Sequence, residues 1–148
     1  MKRSETTEPK DTKPKRPTLR FRAWRDEQVA QVEAGTLDLK KAWYIRGYPE
    51  EVLNPLDDLL DIFEAEVTIA VSTGKELEIF GVFAAVKRFI LGTNKLTLDI
   101  DSTEREHLLT YIDDFVKYKG FNLKESGKDL RFDSDDNFDY ITEPWRKW

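Results

Sequence analysis

Val67-Thr-Ile-Ala-Val71-Ser-Thr-Gly-Lys75-Glu-Leu-Glu-Ile79 is the stretch on which the fold turns, because it accepts two readings. Val67, Ile69, Val71, Leu77 and Ile79 alternate with Thr68, Ala70, Ser72, Glu76 and Glu78, as the strands of a hairpin do, yet the same residues roughly fit helical spacing. The β-branched residues of Val67 to Val71 and the glycine-bearing Ser72-Thr-Gly-Lys75 favour a hairpin over residues 66–80.

Upstream, Pro49 to Glu66 places Leu56, Leu59, Leu60 and Phe63 at spacings of three and four, which predicts a helix capped by Asn54 with Pro55 in its first turn. Thr36-Leu-Asp-Leu39 alternates as a strand, and Lys40 to Arg46 either extends it or starts a helical turn. Before it, Trp24 to Ala34 reads as a helix stopped by Gly35. Downstream, Gly81 to Leu91 predicts a buried helix ended by Gly92, and Leu96 to Ile100 a strand. Thr103-Glu-Arg-Glu106 has the form of a capping box, opening a helix whose face is Leu108, Tyr111, Ile112, Phe115 and Val116 and which Gly120 closes. Phe121 to Leu123 and Leu130 to Phe132, around Ser126-Gly127, complete a second hairpin.

The two halves run in parallel. Leu60-Asp-Ile-Phe63 matches Ile112-Asp-Asp-Phe115, and Thr73-Gly-Lys-Glu-Leu77 matches Ser126-Gly-Lys-Asp-Leu130. The expected fold is therefore α+β, an internal duplication of a helix-strand-helix-hairpin unit with a central antiparallel sheet and helices outside. The same order accommodates two winged-helix-like units. Residues 1–18 are expected to be a flexible basic arm, 19–80 and 81–133 the two halves, and 134–148 an acidic stretch followed by a Trp-rich basic end.

Composition narrows the chemistry. Without cysteine there is no disulfide, thiolate nucleophile or Cys-based metal site, and a single histidine cannot build a His-rich cage. A mean hydropathy of −0.62 and a longest apolar run of only Val82 to Val86 lead to the expectation of a cytoplasmic chain without a membrane span or signal core. Net charge is −5, unevenly spread: residues 1–25 hold nine Lys and Arg against three Asp and Glu, which leaves the rest at −11.

Enzyme motifs are incomplete. Ser72-Thr-Gly-Lys75 lacks the earlier glycine of a phosphate loop, and Glu76 replaces its magnesium-binding hydroxyl. Asp133-Ser-Asp-Asp-Asn-Phe-Asp139 resembles a calcium loop, but Phe138 stands at the glycine position and Pro144 at the bidentate glutamate. His107 has no second histidine four residues away, and acid pairs such as Asp99 and Asp101 arise by chance among 29 acids. No enzyme, metal or cofactor is expected, although a metal-dependent hydrolase or nuclease is not excluded.

What remains is a basic and aromatic block. Lys13, Lys15, Arg16, Arg20, Arg22, Trp24, Arg25, Lys40, Lys41 and Arg46 are the residues expected to meet nucleic acid, cations on phosphate and rings on bases. Asp133, Asp135, Asp136, Asp139, Trp145 and Trp148 are those expected to meet a protein partner. The leading expectation is a non-enzymatic accessory protein that binds nucleic acid through its N-terminal segment and a protein through its acidic domain. The alternative is an acidic inhibitor of the immunity, anti-restriction or DNA-mimic type, whose negative surface occupies a basic site. A hairpin edge left exposed would also allow pairing with a second chain.

Overall fold

The computed structural model describes residues 12–72, 75–96, 100–121 and 142–148. Helix α1 (Pro17–Glu33) starts on a proline, whose missing N–H leaves no helical bond unmade in the first turn. It stops at Gly35, where φ is 78°. There the Thr36 N–H donates to the Gln31 carbonyl at 2.9 Å and the Gly35 N–H to the Val32 carbonyl at 3.1 Å, so two carbonyls of the last turn are satisfied. A 3-10 turn (Leu39–Lys41) and the short α2 (Trp43–Gly47) form a corner, followed by α3 (Glu50–Ala70), α4 (Lys75–Thr93) and α5 (Ser102–Tyr118). Helix α5 closes on Gly120, φ 90°, with the same pair of bonds, Phe121 to Val116 and Gly120 to Lys117.

The chain is all-helical among the described residues, which overturns the expected α+β fold and its central antiparallel sheet. The decisive stretch is helical on both sides: α3 continues to Ala70 and α4 begins at Lys75. In a strand, Val67, Ile69 and Val71 would share one face. Here Val67 and Ala70 join Leu60 and Phe63 in the core, while Ile69 is 63% exposed. Burial at helical spacing outweighs a β propensity that spans only about 1 kcal/mol. Thr36 to Leu39 is likewise no strand, but a bend leading into the 3-10 turn. Residues 97–99 of the expected second strand and 122–141, with the second hairpin, lie outside the described residues. The helix-strand-helix-hairpin repeat and its winged-helix variant are therefore withdrawn.

Helix boundaries also move, and α1 opens at Pro17 where the sequence predicts Trp24. Asn54 and Pro55 lie inside α3, which opens at Glu50 after Pro49. Gly81 and Gly92 lie inside α4, where each lets α3 approach: a β-carbon on Gly81 would fall 2.8 Å from Ala70 Cβ, and one on Gly92 2.7 Å from Leu59 Cδ2. These two contacts set α3 and α4 as a close antiparallel pair. The capping box of α5 is Asp101 with Glu104, two residues before the expected one.

The core lies where α5 covers one side of that pair. Leu56, Leu60, Phe63 and Val67 of α3 meet Val82, Val86, Phe89 and Ile90 of α4 and Leu108, Ile112, Phe115 and Val116 of α5. The Phe63 ring stands 5.6 Å from that of Phe89 and 5.8 Å from that of Phe115. Each large side chain buried this way contributes about 1.5–3 kcal/mol. Helix α1 adds Phe21 at the edge, against Tyr48. Among the described residues no helix is long and apolar enough to cross a membrane.

Candidate functional site

Helix α3 carries seven acids and no base, and four N-terminal cations, Lys13, Arg16, Arg22 and Arg25, are paired with it. Arg16 reaches Glu64 through Nε at 2.9 Å and Asp61 through Nη2 at 2.5 Å, and Lys13 Nζ lies 2.7 Å from the same glutamate. Arg22 bridges Asp57 at 2.9 Å and Glu50 at 3.0 Å, and Arg25 holds Glu50 at 2.6 Å. As the cations advance along the chain their partners retreat along α3, so α1 lies antiparallel to it as an ionic ladder. Thr18 adds a hydroxyl bond to Asp57 at 2.7 Å.

The ladder's inner rung is chemically distinct. Glu64 is buried and accepts three donors, Lys13, Arg16 and the Tyr111 hydroxyl of α5. Burial alone would push its carboxyl up, but the bonds from Arg16, Lys13 and Tyr111 hold it below the usual carboxylate range. Burial and the bond to Glu64 push the Tyr111 phenol well up. A carboxylate so occupied ties three segments together. Bonds from Arg22 and Arg25 hold Glu50 down at about 2.

The corner before α3 presents a different surface. Asp38 accepts the Lys40 N–H at 3.0 Å, the Arg46 guanidinium donates to the Lys40 carbonyl at 2.7 Å, and Gln28 of α1 accepts the Tyr44 N–H at 2.8 Å. Inward, Trp24, Tyr44 and Tyr48 pack at 5.0 and 5.3 Å, and the Tyr44 hydroxyl donates to the buried Glu104 of α5 at 2.6 Å. Outward, Leu39, Lys40, Lys41, Trp43 and Arg46 are exposed. Trp24 is thus a packing residue, and Trp43 is the ring offered to solvent beside three cations.

Between the N-terminal segment, α1 and α5 lies an open cleft of about 610 Å³ whose lining includes Lys15, Arg20, Trp24, Glu27, His107 and Asp114. Arg20 lies over the Trp24 ring at 5.6 Å, and His107 meets that ring edge-on at 5.4 Å. Burial, then the charge of Arg20, lowers the His107 imidazole below its ordinary value. Its walls mix both signs of charge and select no single ligand class. Among the described residues, no cluster of three or more His, Asp or Glu is placed to hold a metal ion.

Of the cations expected to meet nucleic acid, Lys13, Arg16, Arg22 and Arg25 are in the ladder, Lys15 and Arg20 border the cleft, and Lys40, Lys41 and Arg46 stand at the corner. They are divided among the ladder, the cleft and the corner, and Lys13, Lys15, Arg16 and Arg22 also line one open pocket together with Asp57. Asp133, Asp135, Asp136 and Asp139 lie outside the described residues. Trp145 and Trp148 fold against the end of α4: Asn94 donates to the Trp145 carbonyl at 2.7 Å, and the Trp148 indole donates to Thr93 at 3.0 Å. Lys87 lies over the Trp145 ring at 5.7 Å. No family model, curated protein or solved structure matches the chain.

Proposed function

We propose that this chain is a non-enzymatic acidic interaction protein that acts in the cytoplasm and places its negative surface in a basic site of a protein target, as inhibitors of the immunity or DNA-mimic type do. One observation carries the reading: Lys13, Arg16, Arg22 and Arg25, four of the N-terminal cations that would bring phosphate to the chain, are already paired with acids of α3. What faces outward from α1 and α5 includes the exposed carboxylates Glu27, Glu33 and Glu106, on a chain whose charge beyond residue 25 is −11. Glu64, with three donors already on it, is better suited to holding segments together than to abstracting a proton.

Cross-linking and affinity capture with the full chain test this. The expected target has a basic surface, and its complex weakens steeply between about 0.05 and 0.5 M salt. Joint Glu27→Lys, Glu33→Lys and Glu106→Lys substitution, all at exposed positions, weakens it further while leaving far-UV circular dichroism unchanged. A complex indifferent to salt and to charge reversal overturns the reading.

A second reading rests on the corner. Trp43 with Lys40, Lys41 and Arg46 has the composition of a small single-strand platform, one ring to stack on a base and three cations for phosphate. Quenching of Trp43 fluorescence by a short single-stranded oligonucleotide, lost in Trp43→Ala, would favour it.

A further inference from the structure

Among the described residues, five of the nine large apolar side chains that are exposed lie on one side of the α3–α4 pair, the side away from α5. Ile62 and Ile69, seven residues apart, line α3, and Leu77, Phe80 and Leu91 line α4; all but Leu91 are more than half exposed. Because Gly81 and Gly92 bring the helices close, the two lines join into one face with a groove of about 360 Å³ among Leu59, Ile62, Glu66, Arg88, Leu91 and Lys95. An apolar face of this extent marks a contact surface.

Its charges say what covers it. The outward edge of α3 carries Asp58 and Glu66 and no base, whereas the facing edge, α4 and the turn after it, carries Arg88 and Lys95. Arg88 already bridges Glu66 at 2.8 Å within the pair. Around Ile62 and Leu91 the surface is thus acidic on its α3 side and basic on its α4 side, which makes it complementary to itself after a half-turn about an axis parallel to the helices. We infer that two copies of this chain meet through this face as a twofold four-helix bundle, with α3 of each lying on α4 of the other.

The register follows from the contacts inside one chain. Ala70 is level with Gly81 and Leu59 with Gly92, so Ile69 stands near the level of Phe80 and Ile62 near that of Leu91. In the bundle Ile69 meets Phe80 of the second copy and Ile62 meets Leu91 of the second copy, with Asp58 and Glu66 beside the basic edge. The other twofold, perpendicular to the helices, would lay α3 on α3 and set acid against acid.

Light scattering of the full chain after size exclusion reads the assembly directly. The expected mass is twice the 17.4 kDa of one chain, falling to a single chain in Ile69→Lys and in Phe80→Glu, with helical content unchanged because both side chains are exposed. The natural chain contains no cysteine, so single replacements report the arrangement cleanly. Ile69→Cys and Phe80→Cys chains, prepared separately and mixed, should form the mixed disulfide on mild oxidation. Cross-linking of Ile69→Cys only to itself overturns the arrangement. A monomeric mass at every concentration up to about 1 mM, where even weak association registers, overturns the dimer and leaves the face to a different partner.

Discussion

Glu64 is the residue on which the N-terminal segment depends. Glu64→Gln keeps the shape but removes the charge that Arg16 and Lys13 face. Those cations are 22% and 48% exposed and can turn to water, so the expected loss is about 2 kcal/mol, below the 3–5 kcal/mol of a fully buried pair. Tyr111→Phe leaves two donors in place and costs about 1 kcal/mol. Urea denaturation separates the two, and equal midpoints for Glu64→Gln and the natural chain would contradict the clamp. Acid should act through the same groups. Glu64 and Glu50 bind protons less readily when folded than unfolded, so the stability they confer is complete above their ordinary 4.5 and is lost as pH falls, for Glu50 down towards about 2. His107, also lowered, adds a smaller loss as pH falls below its ordinary 6.5. Denaturant midpoints at pH 7, 5 and 3 would show a small step followed by a large one, whereas a flat profile between the last two points would contradict the ladder. The cations of the ladder were legible in the sequence as a basic block. Their partners were visible too, as acids at 50, 57, 61 and 64, but nothing along the chain shows which column of charge faces which.

At the level of elements, glycines had two different meanings and sequence distinguished one. Gly35 and Gly120 follow the last residue of an apolar pattern, and both terminate helices with positive φ as expected. Gly81 and Gly92 are expected from the sequence to open and end a helix, yet both lie within α4, where a neighbouring helix needs the space. Alanine should tell these two apart. At Gly81 the new methyl meets Ala70 Cβ, which is fixed to the α3 backbone, so the helices must part at a cost of about 1–3 kcal/mol that exceeds the gain in helix propensity. At Gly92 it meets the end of Leu59, which can change rotamer, so the propensity gain of up to about 1 kcal/mol survives. Gly81→Ala should thus lower the urea midpoint and Gly92→Ala leave it or raise it; the reverse order would contradict the packing of α3 on α4. The failure over residues 67–79 has the same origin. Alternation and helical spacing are both present there, and only the neighbouring α4 and α5 decide that Val67 and Ala70, and not Ile69, face the core.

For the molecule as a whole, the balance of charge governs what it can bind. The split between a basic start and an acidic remainder was legible in the sequence, but not that four cations of that start close on acids of α3. That closure makes nucleic-acid binding quantitatively testable. The corner offers three cations, Lys40, Lys41 and Arg46, so a single strand held there should show a slope of log affinity against log salt of about −2, at roughly 0.7 per phosphate. Recruiting Lys13, Arg16, Arg22 and Arg25 as well would steepen the slope to about −5. It would also pull those side chains from Glu50, Asp57, Asp61 and Glu64, so binding would have to loosen α1 and lower the urea midpoint. The acidic-interaction reading expects no measurable anisotropy change with single- or double-stranded DNA or RNA at about 0.05 M salt, where electrostatic attraction is least screened. A slope near −2 with stability intact would assign the corner. A slope near −5 accompanied by destabilisation would mean that phosphate competes with α3 for its own cations, and the ladder would then be a latch rather than a brace. Deletion is informative only up to residue 11, since removing residues 1–25 would also take Phe21 from the core and three arginines from the ladder.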